Sequence, residues 1–190
     1  MKKLILSTNV TLDGFMAGPN KELDWHFDNW NEEMAEYAWQ QLNNVDTILV
    51  GRGAYEGMST FWPEAAVNPI IRKRDVEFAK RMNDLPKIVF SKTLSSVDWN
   101  NSRLASNSDV EEVAALKKMR GKDIILWGGI GMAQSFIEHD LIDEYRIWVA
   151  PIAIGNGIPL FTVHHKLNLK LLSSKMFSNG VILLVYAPYK

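Results

Sequence analysis

Cysteine is absent from all 190 residues, which excludes disulfides, thiolate metal sites and cysteine nucleophiles. Net charge is almost absent too. The 21 Lys+Arg and 22 Asp+Glu leave a formal -1, without the basic excess of a general nucleic-acid binder. The 7 tryptophans do not cluster with basic residues, so a single-strand nucleic-acid platform is not expected. There are 4 histidines, His26, His139, His164 and His165. None stands in H-E-x-x-H or another ligand spacing, and no metal site is expected. G-x-S-x-G and the Walker A pattern are missing, which removes the nucleophile elbow of serine hydrolases and the P-loop. No apolar run approaches the ~18 residues of a membrane span. The opening Met1-Lys2-Lys3-Leu4-Ile5-Leu6 stops at Ser7-Thr8-Asn9, short of the roughly 7 apolar residues a secretory h-region needs. The expectation is a cytoplasmic protein whose partner is a small molecule rather than a membrane or a nucleic acid.

What is present is a core. At 47% hydrophobic residues the chain can fill the interior of one domain, read as residues 1-190. Apolar runs predict strands over about 3–10, 45–50, 87–90, 102–105, 123–127 and 143–150. Helical spacing predicts helices over about 30–42, after Gly53 until Phe61-Trp62-Pro63 breaks it, over 72–82, and from Ser108 to near Gly121. Another follows Gly131, with Ala133, Phe136, Ile137 and Leu141 on one face. Ser108 and Glu111 have capping-box spacing. Residues 11–28 and 154–159 read as loops. Two late strands, 167–177 and 181–187, are joined by Ser178-Asn179-Gly180, a hairpin signal. Alternating strands and helices followed by strands alone predict an α/β fold. Its central sheet is mostly parallel, with helices on both faces and a C-terminal antiparallel hairpin.

Two turns stand out. Ile124-Ile125-Leu126-Trp127 runs into Gly128-Gly129-Ile130-Gly131, a strand-to-helix turn nearly without side chains. Ile48-Leu49-Val50 runs into Gly51-Arg52-Gly53-Ala54, the same arrangement carrying a cation. Bare backbone lets a ligand approach, and a helix N-terminus offers unpaired N–H groups to an anion. Together the turns suit a dinucleotide; close packing of helix on strand is the alternative. The glycines at 51, 53 and 57 are one residue too widely spaced for a Rossmann fingerprint. Phe90-Ser91-Lys92-Thr93 puts a hydroxyl and an ammonium at another strand end, where open α/β sheets bind ligands. Asp13, Asp24 and Asp28 in the first loop are candidate hydrogen-bond or proton partners, and Trp25 could stack on a heterocycle or belong to the core.

These motifs occur in an order that resembles the dihydrofolate reductase-like superfamily. They run Asp13-Gly14, Ile48-Leu49-Val50-Gly51-Arg52, Phe90-Ser91-Lys92, Leu126-Trp127-Gly128-Gly129-Ile130-Gly131 and Gly155-Asn156-Gly157-Ile158-Pro159-Leu160-Phe161. The chain is most similar to the reductase domain at the C-terminus of the bifunctional riboflavin biosynthesis deaminase-reductase. The resemblance implies a dihydrofolate reductase-like three-layer fold, a homodimer and NADPH as cofactor. It further implies a reduction of a pyrimidine- or pteridine-like compound, as in 5-amino-6-(5-phosphoribosylamino)uracil reductase. On it, Gly51, Arg52, Gly53 and Ala54 hold cofactor phosphates, and Ser91 and Lys92 stand by the 2′-phosphate. Gly128, Gly129, Ile130 and Gly131 follow the pyrophosphate and nicotinamide, with Met132 and Gln134 nearby. Asp13, Trp25 and Phe161 border the substrate, and Asp13 is the candidate proton supplier. Trp25 is followed by His26, Phe27 and Asp28, which does not reproduce the carboxylate spacing of dihydrofolate reductases. The deaminase half needs H-x-E with P-C-x-x-C, and a chain without cysteine has none. A non-catalytic NADPH- or heterocycle-binding protein on the same fold, or a dihydrofolate reductase, is the alternative.

Overall fold

Strands whose successive residues are all apolar must be covered on both faces, and the first strand shows how this is met. In β1 (Leu4–Thr11), Leu4, Leu6 and Val10 join one core cluster while Ile5 joins another. The computed structural model describes residues 1–70 and 72–189. Around β1 stands an eight-stranded sheet. After β1 come β2 (Phe15–Ala17), α1 (Asp24–Asp28), α2 (Glu32–Asn43), β3 (Val45–Gly51), α3 (Arg52–Ala65) and α4 (Lys73–Asp84). Then follow β4 (Lys87–Phe90), β5 (Ser102–Leu104), α5 (Asp109–Lys118), β6 (Asp123–Leu126) and α6 (Ile130–Glu138). The chain closes with β7 (Glu144–Ala150), β8 (Ile158–Pro159), β9 (Leu169–Met176) and β10 (Ile182–Pro188).

The sheet order is β5-β4-β3-β6-β1-β7-β10-β9. Pairings from β5 to β7 are parallel, and β10 and β9 are antiparallel. Leu42 of α2, Tyr55 of α3 and Met82 of α4 pack on one face; Val113 of α5 and Phe136 of α6 pack on the other. This is the expected three-layer α/β architecture with its terminal hairpin, and Gly180 at φ 85 forms the turn. Strands β3 and β1 flank β6, so the chain leaves β1 toward β3 and returns. The sheet therefore has a switch in winding, where open α/β sheets form their crevice.

Three local expectations change. The segment 11–28 is not a plain loop, because β2 pairs with β8 in a separate two-stranded sheet and α1 follows. Pro63 does not break α3 at Phe61-Trp62. It sits exposed in the last turn, where a carbonyl deprived of its donor can reach water, and the helix runs on to Ala65. The helix expected from Trp30 starts at Glu32, because the Asn31 side chain accepts from the Met34 amide and fixes the N-cap there.

Candidate functional site

β3 and β6 are neighbours, so the turns at their C-terminal ends lie back to back. The Gly51 amide donates to the Gly128 carbonyl at 3.2 Å. A Cβ on Gly129 would stand 2.9 Å from the Cα and N of Gly51, and one on Gly128 2.8 Å from the Ala54 Cβ. Gly128 and Gly129 also have φ of 109 and 107. Close packing thus explains this pair. It does not explain Gly53, Gly57 or Gly131, where a Cβ would meet nothing within 4 Å. All three border the same cleft.

The helices leaving these turns begin unfinished. α3 starts after Gly51 and α6 after Gly129 with no side-chain cap, and neither has an acidic residue in its first turn. Their first N–H groups and positive dipole ends face the cleft without compensation. The first residue of α3 is Arg52, whose Nη1 donates to Thr93 Oγ1 at 3.1 Å. That threonine belongs to the loop after β4, held by Ser91 Oγ accepting from the amides of Thr93 and Leu94. Ser91 and the exposed Lys92 are not part of the cleft wall. Gly51, Arg52, Gly53, Ala54, Gly128, Gly129, Ile130, Gly131, Met132 and Gln134 all line the cleft. The Gln134 amide is tied to the Pro159 carbonyl at 2.7 Å.

The cleft measures about 1660 Å³. Its other half is aromatic. Trp30, Trp39, Trp62, Trp127 and Trp148 line it, five of the seven tryptophans, with Phe27, Phe61 and Phe78. On α3 the lining residues Ala54, Gly57, Met58, Phe61, Trp62 and Ala65 recur at helical spacing, and on α2 Ala35, Ala38 and Trp39 do the same. His26 lines this half with its ring 5.5 Å from Trp30, and burial holds its imidazole below the usual value, so it favours the neutral form.

Asp13, Trp25 and Phe161 stand outside this wall. The Asp13 carboxylate accepts from the Thr11 hydroxyl and from the amides of Ile154 and Gly155, which tie the first loop to the segment before β8. The Thr11 bond first, then the Gly155 amide, keep Asp13 below the usual carboxylate range, so it stays ionised rather than supplying a proton. Trp25 is only 5% exposed and is packed as core. Phe161 is half-exposed, its ring 6.3 Å from Tyr145. The aromatic wall itself was not singled out in the sequence; the spacing on α3 is the signal that would have found it. Among the described residues no cluster of His, Asp or Glu could hold a metal, and no helix is long and apolar enough to cross a membrane.

Residues 2–183 match the RibD C-terminal domain family. The chain belongs to that family. It is 37% identical over 186 residues to the uncharacterized protein YyaP of Bacillus subtilis (strain 168), covering 97% of this chain and 94% of that one. A putative riboflavin biosynthesis protein from Shewanella sp. PV-4 has a similar solved structure, with TM-score 0.76, 22% identity and all of both chains covered. Dihydrofolate reductase from Enterococcus faecalis, complexed with NADP(H) and RAB-propyl, superposes with TM-score 0.63 at 11% identity, covering 99% of this chain and 97% of that one. The fold of this RibD C-terminal domain is thus dihydrofolate reductase-like.

Proposed function

We propose that this RibD C-terminal domain is an NADPH-dependent reductase of a pyrimidine- or pteridine-like compound. The observation that carries the reading is the pair of adjoining helix starts that lack both cap and acid, opening on glycines that packing does not require. A dinucleotide fits there. Its phosphates would take the free amides of Gly53 and Ala54 and the Arg52 guanidinium, with Gly131 leaving room for close approach. Gly128, Gly129, Ile130, Met132 and Gln134 would border the pyrophosphate and nicotinamide. Arg52, steadied by Thr93, would meet a 2′-phosphate together with Ser91 and Lys92. NADP(H) in the E. faecalis neighbour lends support. When bound, the cofactor supplies the hydride. The protein orients the two reactants and keeps water from them.

Calorimetric titration of NADPH and NADH into the wild type and Arg52→Ala tests this. The expected result is NADPH binding that weakens at least tenfold in the variant, with NADH, which lacks the 2′-phosphate, weakened less. Failure of any dinucleotide to bind overturns the reading. Steady-state NADPH oxidation with pterins and pyrimidines then tests turnover. One observation favours a non-catalytic binding protein as the second reading. The carboxylates of the wall, Glu32 and Asp75, are both paired with Arg72, and Asp13 is engaged elsewhere. Tight NADPH binding with no turnover would select it.

A homodimer fits the same reading. β9 is one of the two outer strands of the sheet and exposes Leu171, Leu172 and Met176, an edge that a second copy would cover. Light scattering expects twice the 21.6 kDa chain mass.

A further inference from the structure

We propose that the aromatic half of the cleft is a subsite for a flat, uncharged ring system that carries no phosphate. This narrows the substrate class and rests on the dinucleotide occupying the glycine half. It departs from the phosphoribosyl substrate that the family resemblance suggests.

Size comes first. At about 1660 Å³ the cleft exceeds the roughly 300–1,000 Å³ of a single ligand site, which leaves space beside a cofactor. Shape follows. Four aromatic rings, from α2, α3, α4 and the turn after β6, form one continuous wall. Trp62 lies 5.3 Å from Phe78, Phe78 lies 6.1 Å from Trp127, and Trp39 lies 6.3 Å from Phe78. Such a surface binds planar rings by stacking and by removing apolar area from water.

Exposure is the third observation. Phe27 of α1 is 67% and Phe61 of α3 55% exposed, and both line the cleft. Large apolar side chains left in water around a cavity mark a ligand or partner surface.

Charge is the fourth. The cations of this half are Lys21, Arg72 and Arg74. Arg72 is paired with Glu32 and Asp75, and Arg74 lies 3.8 Å from Glu36. Carboxylates thus hold two of these three cations, Lys21 being the exception. Arg74 Nη2 is itself buried, so it offers no donor to a phosphate at this surface. A phosphate dianion needs several donors and a net positive setting, and here it would have to displace carboxylates to obtain them.

The test compares a ring system with and without its phosphate, and the ring alone. Riboflavin, its 5′-phosphate FMN and the bare ring lumichrome are titrated by fluorescence quenching against the whole protein, with and without saturating NADP⁺, which cannot reduce them. Riboflavin and lumichrome should bind at least tenfold more tightly than FMN. Trp62→Ala should weaken riboflavin at least tenfold and leave the NADP⁺ affinity within twofold. Trp39→Ala should do the same, and serves if the first variant fails to fold by circular dichroism. FMN binding as tightly as riboflavin, no binding of any ring, or indifference to folded variants at both tryptophans overturns the proposal. Ring binding without NADP⁺ binding would uphold this subsite and count against the dinucleotide reading; NADP⁺ binding with no ring binding would do the reverse.

Discussion

Helices α5 and α6 flank the same strand in sequence, cover the same face of the sheet, and begin in opposite ways. α5 starts with a complete capping box, Ser108 and Glu111 exchanging bonds with each other's backbone, and carries Asp109, Glu111 and Glu112 in its first turn. α6 starts on Gly129 with neither cap nor acid, as α3 does on Gly51. A helix start costs stability when its amides lack partners. A fold able to finish α5 with its own side chains leaves two starts open beside a cleft. The difference separates an end stabilised by the chain from an end available to a ligand.

The largest test of that comparison is Gly129→Ala. A Cβ there meets Gly51 backbone at 2.9 Å and φ is 107. Strain and overpacking together should cost about 3 kcal/mol, read by urea denaturation. The backbone between the two open starts is thereby shown to be rigid as well as bare.

Lys87→Met comes next and examines a helix end finished at its C-terminus. Lys87 is buried and donates to the carbonyls of Met82, Asn83 and Leu85 where α4 ends, with its ammonium 4.3 Å from the Trp99 ring. Losing these bonds should cost about 2 kcal/mol. Burial pushes the Lys87 ammonium down to about 8 from 10.5. Between those values the unfolded chain holds a proton that the folded chain has released. The contribution of Lys87 to stability should therefore rise with pH through that window and stay flat below it. Denaturation midpoints of wild type minus Lys87→Met, measured across pH 7 to 10.5, should show that slope; a difference independent of pH would refute the shifted lysine.

Smaller effects sharpen the contrast. Ser108→Ala should cost about 1 kcal/mol and leave NADPH affinity unchanged, since the α5 cap serves only the fold. Gly131→Ala should do the reverse. Alanine suits a helix better than glycine and meets nothing nearby, so stability should hold or rise by a few tenths of a kcal/mol, while NADPH binding weakens several-fold. If both properties improve, the open start of α6 is not a ligand contact.

Much of the fold was legible because its signals are local. The Ser108 and Glu111 spacing produced the capping box, Ser178-Asn179-Gly180 the hairpin, and the runs ending at Val50 and Leu126 the buried parallel strands. The glycine turns were legible as unusual, although one of their two causes, contact between Gly51 and Gly129, involves residues far apart in sequence. The β2–β8 pairing was missed because β8 has two residues, too few for a pattern. Asp13 resembled a free acid because the amides of Ile154 and Gly155 that occupy it lie over a hundred residues away in the chain.

By itself, then, the sequence determined the strands of the main sheet and the helices packed on it, but not the short elements β2, α1 and β8. It also determined where a helix is capped and where it is left bare. Those outcomes depend on side chains and backbone groups within a few positions of one another. Only the tertiary structure decided that Trp39, Trp62, Phe78 and Trp127 would make one wall facing the glycines. Hydrophobic burial is proportional to area and indifferent to order along the chain. Which aromatic surfaces meet, and which stay open to a ligand, is fixed by the packing of α2, α3 and α4 against the sheet.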